Sequence, residues 1–224
     1  MCFNETTSIV AGMIGMLSGV YLIYRNKPGS NDLINGILVM LISLVQFVEY
    51  KIWQDPTCSK KNRMYSIVLV LVLIAQPILL FVIGNSLKDR LTIDQTHFNR
   101  TIFLVIGFII ISFTTIYILL PYKDRLCTQK SSGSCRLSWG FLDILDTYHP
   151  WIGRLCIISY MICFYYVVQY LKIPTNLIEA HLIQFLLVVS LLVSWYYDSV
   201  NLKSIWGSLW CFLSAFYGVV CILN

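Results

Sequence analysis

The stretch Leu33–Trp53, LINGILVMLISLVQFVEYKIW, decides the fold. Its only charges are Glu49 and Lys51, both close to its end. At 1.5 Å per residue its 21 positions cover the ~30 Å of a bilayer's hydrocarbon core. The apolar residues are continuous rather than alternating, which reads as a membrane helix and not as a barrel strand. Six more runs share this character: Ser8–Tyr24, Tyr65–Gly84, Thr101–Leu120, Leu155–Leu171, Leu177–Tyr197 and Ile205–Leu223. Pro28, Pro56, Pro121, Pro150 and Pro174 fall between runs, and only Pro77 lies inside one.

Composition agrees. Hydrophobic residues make up 58% of the 224 positions and charged ones 12%, where a soluble domain carries roughly a quarter charged. The expected fold is therefore all-α: one domain, 1–224, a polytopic bundle of seven transmembrane helices. Met1–Thr7 has no Lys or Arg, so the first run is expected to be a retained helix rather than a cleaved signal. The longest connection, Pro121–Arg154, places Arg136, Gly140, Asp143 and Thr147 on one helical stripe and Leu137, Phe141, Ile144, Leu145 and Tyr148 on the other. That pattern predicts a short amphipathic helix lying in the interface.

Seven spans put the termini on opposite sides. The side holding Met1, the N-face, then collects the loops around residues 54–64, 121–154 and 198–204, together with all six tryptophans. Ten Lys and Arg lie there against six on the other side, which favours a cytoplasmic N-terminus. The cysteines argue the reverse. Cys2, Cys58, Cys127 and Cys135 all lie outside the spans on the N-face, which suggests disulfides among them in an oxidising compartment. We take the N-terminus as outside. The bilayer is the expected partner. The net charge of +5 is spread over the loops, which points to membrane surfaces and away from nucleic acid.

The second span carries the most informative polar residues. Asn35, Gln46, Glu49 and Trp53 share a face, with Ser43 beside it, and a carboxylate in a span is expensive unless it faces the interior or water. In the third span, Gln76 precedes Pro77, whose missing N–H frees the carbonyl of Leu73 and predicts a kink. Small residues form two helix-packing stripes: Ala11, Gly15 and Gly19 in the first span, and Gly207, Cys211, Ser214 and Gly218 in the last. These faces could also pair copies of the chain into a homo-oligomer. Collected on the N-face, Cys2, Gln46, Glu49, Trp53, Trp210 and Cys211, with Gln76 deeper, form the candidate polar site or pathway.

The opening Met1-Cys2-Phe3 followed by Ser8, the Gln46-x-x-Glu49-x-x-x-Trp53 pattern and Trp210-Cys211-Phe212 resemble a specific group. These are small multi-pass membrane proteins of bacteria, algae and large DNA viruses that begin Met-Cys-Phe-Ser. Asn4 departs from that opening. The resemblance implies that Cys2, Gln46, Glu49, Trp53, Trp210 and Cys211 belong together, and it carries no activity with it.

Several seven-helix functions are excluded. The last span lacks the lysine of a retinal protein, and His97, His149 and His181 lack HxxxH spacing, so no metal and no cofactor are expected. The cysteines form no Cys-x-x-Cys pair, which argues against a thiol oxidoreductase. Three readings survive. The leading one is a small transporter or channel-like protein with Gln46, Glu49 and Gln76 along its path and an unidentified small-molecule ligand. A structural or viral-envelope membrane protein is the alternative. A lipid-modifying membrane enzyme, using Glu49 or His149 with Cys211, is the third.

Overall fold

The computed structural model describes residues 4–27, 30–89, 91, 93–130, 137–171, 189 and 216–223. The sixth predicted span and most of the seventh lie outside the described residues. So do Cys2, Cys135, Trp210 and Cys211 from the candidate site.

Among the described residues the chain is mostly helical. The long helices are α1 (Glu5–Arg25), α2 (Asp32–Trp53), α3 (Lys60–Ser86), α4 (Phe98–Leu119) and α6 (Pro150–Tyr170). A nine-residue helix, α5 (Gly140–Tyr148), precedes α6, and α7 (Tyr217–Leu223) closes the described chain. A two-residue antiparallel ribbon pairs β1 (Gln129–Lys130) with β2 (Leu137–Ser138). Five helices are long and apolar enough to cross a membrane.

Local chemistry sets the ends. The Asn4 side chain accepts from the Thr7 backbone N–H at 2.8 Å and so starts α1. Ser59 does the same for α3 through the N–H groups of Lys61 and Asn62, both at 3.1 Å. These caps start α1 and α3 a few residues before the apolar runs, because a helix need not end where hydrocarbon does. Asn26, in the left-handed region at φ 30°, ends α1.

The interior is mostly apolar but holds many polar groups: Ser43, Gln46, Glu49, Ser66, Gln76, Thr101, Ser112 and Thr115 are buried. Along α4, Phe103, Ile106, Ile110, Phe113 and Tyr117 form a continuous exposed apolar stripe. An apolar exterior is what lipid selects, and an apolar patch of this extent in water would aggregate.

Among the described residues, helices α1 and α2 make the most extensive contact, and glycine permits it. A Cβ on Gly19 would fall 2.8 Å from the Gly36 carbonyl oxygen, and one on Gly36 would fall 2.6 Å from that of Gly19. The backbones can approach so closely only without side chains between them. The α1 part of the small-residue stripe is thus used within the chain: Ala11, Gly15 and Gly19 are all buried.

Candidate functional site

Glu49 is the centre. It is 1% exposed, so it neither reaches the membrane interface nor snorkels to it. Its carboxylate accepts from the Gln46 amide, Nε2 to Oε2, at 3.0 Å. It also accepts from the Trp139 indole, Nε1 to Oε1, at 3.0 Å. Gln46 lies three residues away on the same helix face, where i and i+3 side chains meet. Trp139 comes from the far side of the sequence, just ahead of α5.

The delivery of Trp139 depends on how the long 121–154 connection folds. Helix α5 turns Phe141, Leu142, Ile144 and Leu145 inward and leaves Asp143 and Asp146 outward. Its apolar face packs against α6 and α3. The connection therefore forms a plug over the N-face end of the bundle. Gly140 is required there: a Cβ would land 2.1 Å from the Cys127 carbonyl oxygen.

The other edge of the plug is tied twice. Cys58 and Cys127 form a disulfide with a Cα–Cα distance of 5.3 Å, joining the α2–α3 connection to the segment after α4. Next to it, Asn62 donates to the carbonyls of Asp55 and Thr128 at 2.7 and 2.8 Å and accepts the Thr128 N–H at 3.1 Å. Ser66 accepts the same N–H at 2.9 Å and donates to the Thr128 hydroxyl at 2.9 Å. The backbone polar groups at Thr128 are thereby satisfied inside the protein.

Gln76 belongs to a different node. Its amide donates to the Leu41 carbonyl at 3.1 Å and accepts the Tyr160 hydroxyl at 2.6 Å. Leu41 lies eight residues before Glu49, ~12 Å along α2. The continuous path expected through Gln46, Glu49 and Gln76 is thus resolved into two separate clusters. Helix α3 continues through Pro77. An apolar cavity of about 50 Å³, lined by Val70, Phe108, Ser112, Trp139, Cys156 and Tyr160 among others, touches one partner of each cluster, Trp139 and Tyr160. Trp139 separates it from the carboxylate.

Trp53 is partly buried against the core, and Trp139 is an indole that reaches Glu49. His149 sits between α5 and α6 with its ring edge-on to Tyr122 at 6.3 Å, not at the carboxylate. Among the described residues no cluster of three or more His, Cys, Asp or Glu could hold a metal ion.

Two buried groups complete the polar interior. Gln46 Oε1 has no hydrogen-bond partner among the described residues, and neither does the Ser112 hydroxyl. At the opposite end, Arg25 forms a bidentate pair with Asp32, both bonds 2.8 Å, and donates to the Ile222 and Cys221 carbonyls, both at 2.9 Å. The sequence reading does not single out this cluster. Its signal was available: opposite charges at the two ends of a short connector between apolar helices.

No family model, curated protein or solved structure matches the chain.

Proposed function

We propose that the chain is a seven-span membrane protein acting as a small transporter or channel-like protein, with its polar site at Gln46 and Glu49 under the N-face plug. The carrying observation is a buried carboxylate inside a membrane-length helix, held by an amide and an indole. Such a group is costly in a bundle and is characteristically placed on a pathway.

The direction of the flanking helices supports seven crossings. Helix α6 ends at Tyr170, whose carbonyl accepts the N–H of Asp94 ahead of α4, on the side away from Glu5. Helix α7 runs from Gly218, packed near Ser18 and Val39, out to Cys221 and Ile222 at Arg25 on that same side. Two apolar runs of the sequence, Leu177–Tyr197 and Ile205–Leu223, are each of membrane length and would supply the remaining crossings. The disulfide supports an exoplasmic N-face, and we place α5 along that face of the membrane.

Reconstituted liposomes test this. The wild-type chain is expected to release or admit small solutes at least about tenfold faster than empty liposomes, a difference of ~1.4 kcal/mol in barrier. Glu49→Gln is expected to abolish the difference. Unchanged flux in Glu49→Gln would sink the reading. Absence of flux from the wild type would favour the structural alternative, which the disulfide and the satisfied Asn62–Thr128 network also support.

A further inference from the structure

Helix α6 turns one continuous stripe outward: Trp151, Leu155, Ile158, Ile162 and Tyr165 are all exposed. Their spacing of three or four residues keeps them on one helix face. That face is apolar, as lipid contact requires of a helix long and apolar enough to cross a membrane. A single cation stands on it. Arg154, three residues after Trp151, is exposed, and its guanidinium carbon lies 4.9 Å from the centre of the Trp151 ring. Among the described residues no carboxylate lies within ion-pair distance of Arg154.

The stacking decides which part of the guanidinium is left for a ligand. Trp151, itself 76% exposed, covers one flat side through cation–π attraction. The N–H donors lie in the guanidinium plane, so their edge stays open. A planar fork of donors steadied by an aromatic ring matches two oxygens of one phosphate or carboxylate. Depth selects between these anions. Arg154 lies four residues into α6, ~6 Å along its axis. Indole rings and long basic side chains settle at the headgroup level there. The anion that a bilayer supplies at that level, beside an apolar stripe, is the phosphate of a phospholipid.

We propose that Arg154 and Trp151 hold the phosphate of one phospholipid, whose acyl chains lie along Leu155, Ile158 and Ile162. The proposal requires that α6 crosses a membrane and nothing of the transport reading. Arg100 offers a comparison within the chain. It is exposed too, but its guanidinium lies 5.8 Å from the Tyr166 ring, near the other end of α6. A tyrosine face attracts a cation less than an indole does, so Arg154 is the better anchor.

Native mass spectrometry of the purified full chain in detergent tests this, with phosphatidylcholine titrated against diacylglycerol of the same chains. Phosphatidylcholine has no net charge, so the comparison reads the phosphate itself. The expected result is saturable retention of one phosphatidylcholine per chain and none of diacylglycerol. Arg154→Gln should weaken retention by about tenfold or more, as the loss of a charge-assisted hydrogen bond does. Trp151→Leu should weaken it by about threefold, through loss of the stacking. Arg100→Gln should leave it unchanged. The wild-type titration decides the issue even if a variant fails to fold. No saturable retention of phosphatidylcholine would overturn the proposal, and so would equal retention of diacylglycerol. Retention unchanged in Arg154→Gln, or lost equally in Arg100→Gln, would overturn it as well. Displacement of the bound lipid by inorganic phosphate alone would assign the site to a free anion and do the same.

Discussion

The two ends of the bundle bury a carboxylate in opposite ways. Asp32 is matched by a guanidinium through two parallel bonds, and the same Arg25 seals the carbonyls of α7. Glu49 accepts from an amide and an indole, brought together from elements 90 positions apart in sequence. The first arrangement is a fastener: charge meets charge, and three helices are locked at one edge. The second gathers its donors, an amide and an indole, from one helix and a distant connection. The two lie toward opposite ends of α2, so one helix carries both.

The sharpest way to break that contrast is to remove Arg25. Arg25→Ala leaves Asp32 buried without its cation and uncaps α7, at an expected cost of about 3–5 kcal/mol. Chemical unfolding in detergent measures it. The double variant Arg25→Ala/Asp32→Asn should recover part of that loss, and failure to recover any would show that the carbonyl contacts, not the ion pair, dominate.

Next in size is the staple over the working end. Cys58→Ala should cost about 2–4 kcal/mol, through a longer effective loop in the unfolded chain. Reductant should lower the midpoint of the wild type and leave the variant unchanged. A wild-type midpoint insensitive to reductant would mean that the Asn62–Thr128 network holds the plug without it.

Trp139→Phe keeps the ring that lines the apolar cavity and deletes only the donor to Glu49. A hydrogen bond to a charged group is worth about 1.5–3 kcal/mol, and that is the expected loss. In Trp139→Phe combined with Glu49→Gln the loss should shrink, since the acceptor is then neutral. Equal losses in both backgrounds would mean that packing rather than the hydrogen bond is being measured.

The smallest effect concerns Asp55, outside the spans, whose carboxyl the hydroxyls of Ser59 and Thr57 hold below the usual carboxylate range. Because the folded value lies below the unfolded one, this group stabilises the folded chain above about pH 4. That contribution is lost as pH falls through the folded value. Asp55→Asn should flatten the acid limb of stability slightly, and an unchanged limb would remove Asp55 from the cap of α3.

How much of this was legible in sequence follows from range. The helices declare themselves through continuous apolar runs, and Gln46 with Glu49 through three-residue spacing on one of them. Trp139 does not, because nothing local marks a loop tryptophan as the partner of a carboxylate in another helix. Gly140 and Cys127 are likewise joined only by a close backbone approach, and Asn62 and Thr128 by hydrogen bonds between segments with no shared pattern. Gln76 misled for a related reason: helical position placed it in the interior but left its depth relative to Glu49 undetermined.

The Cys58–Cys127 bond has one more consequence, for biogenesis. It encloses the whole α3–α4 hairpin, so in a bilayer its two thiols would share a side only if both helices cross or neither does. Should one of them stay behind, the thiols would end in different compartments and remain apart. The oxidised cross-link is therefore a record of correct insertion, written once during synthesis and readable afterwards as a gel shift on reduction.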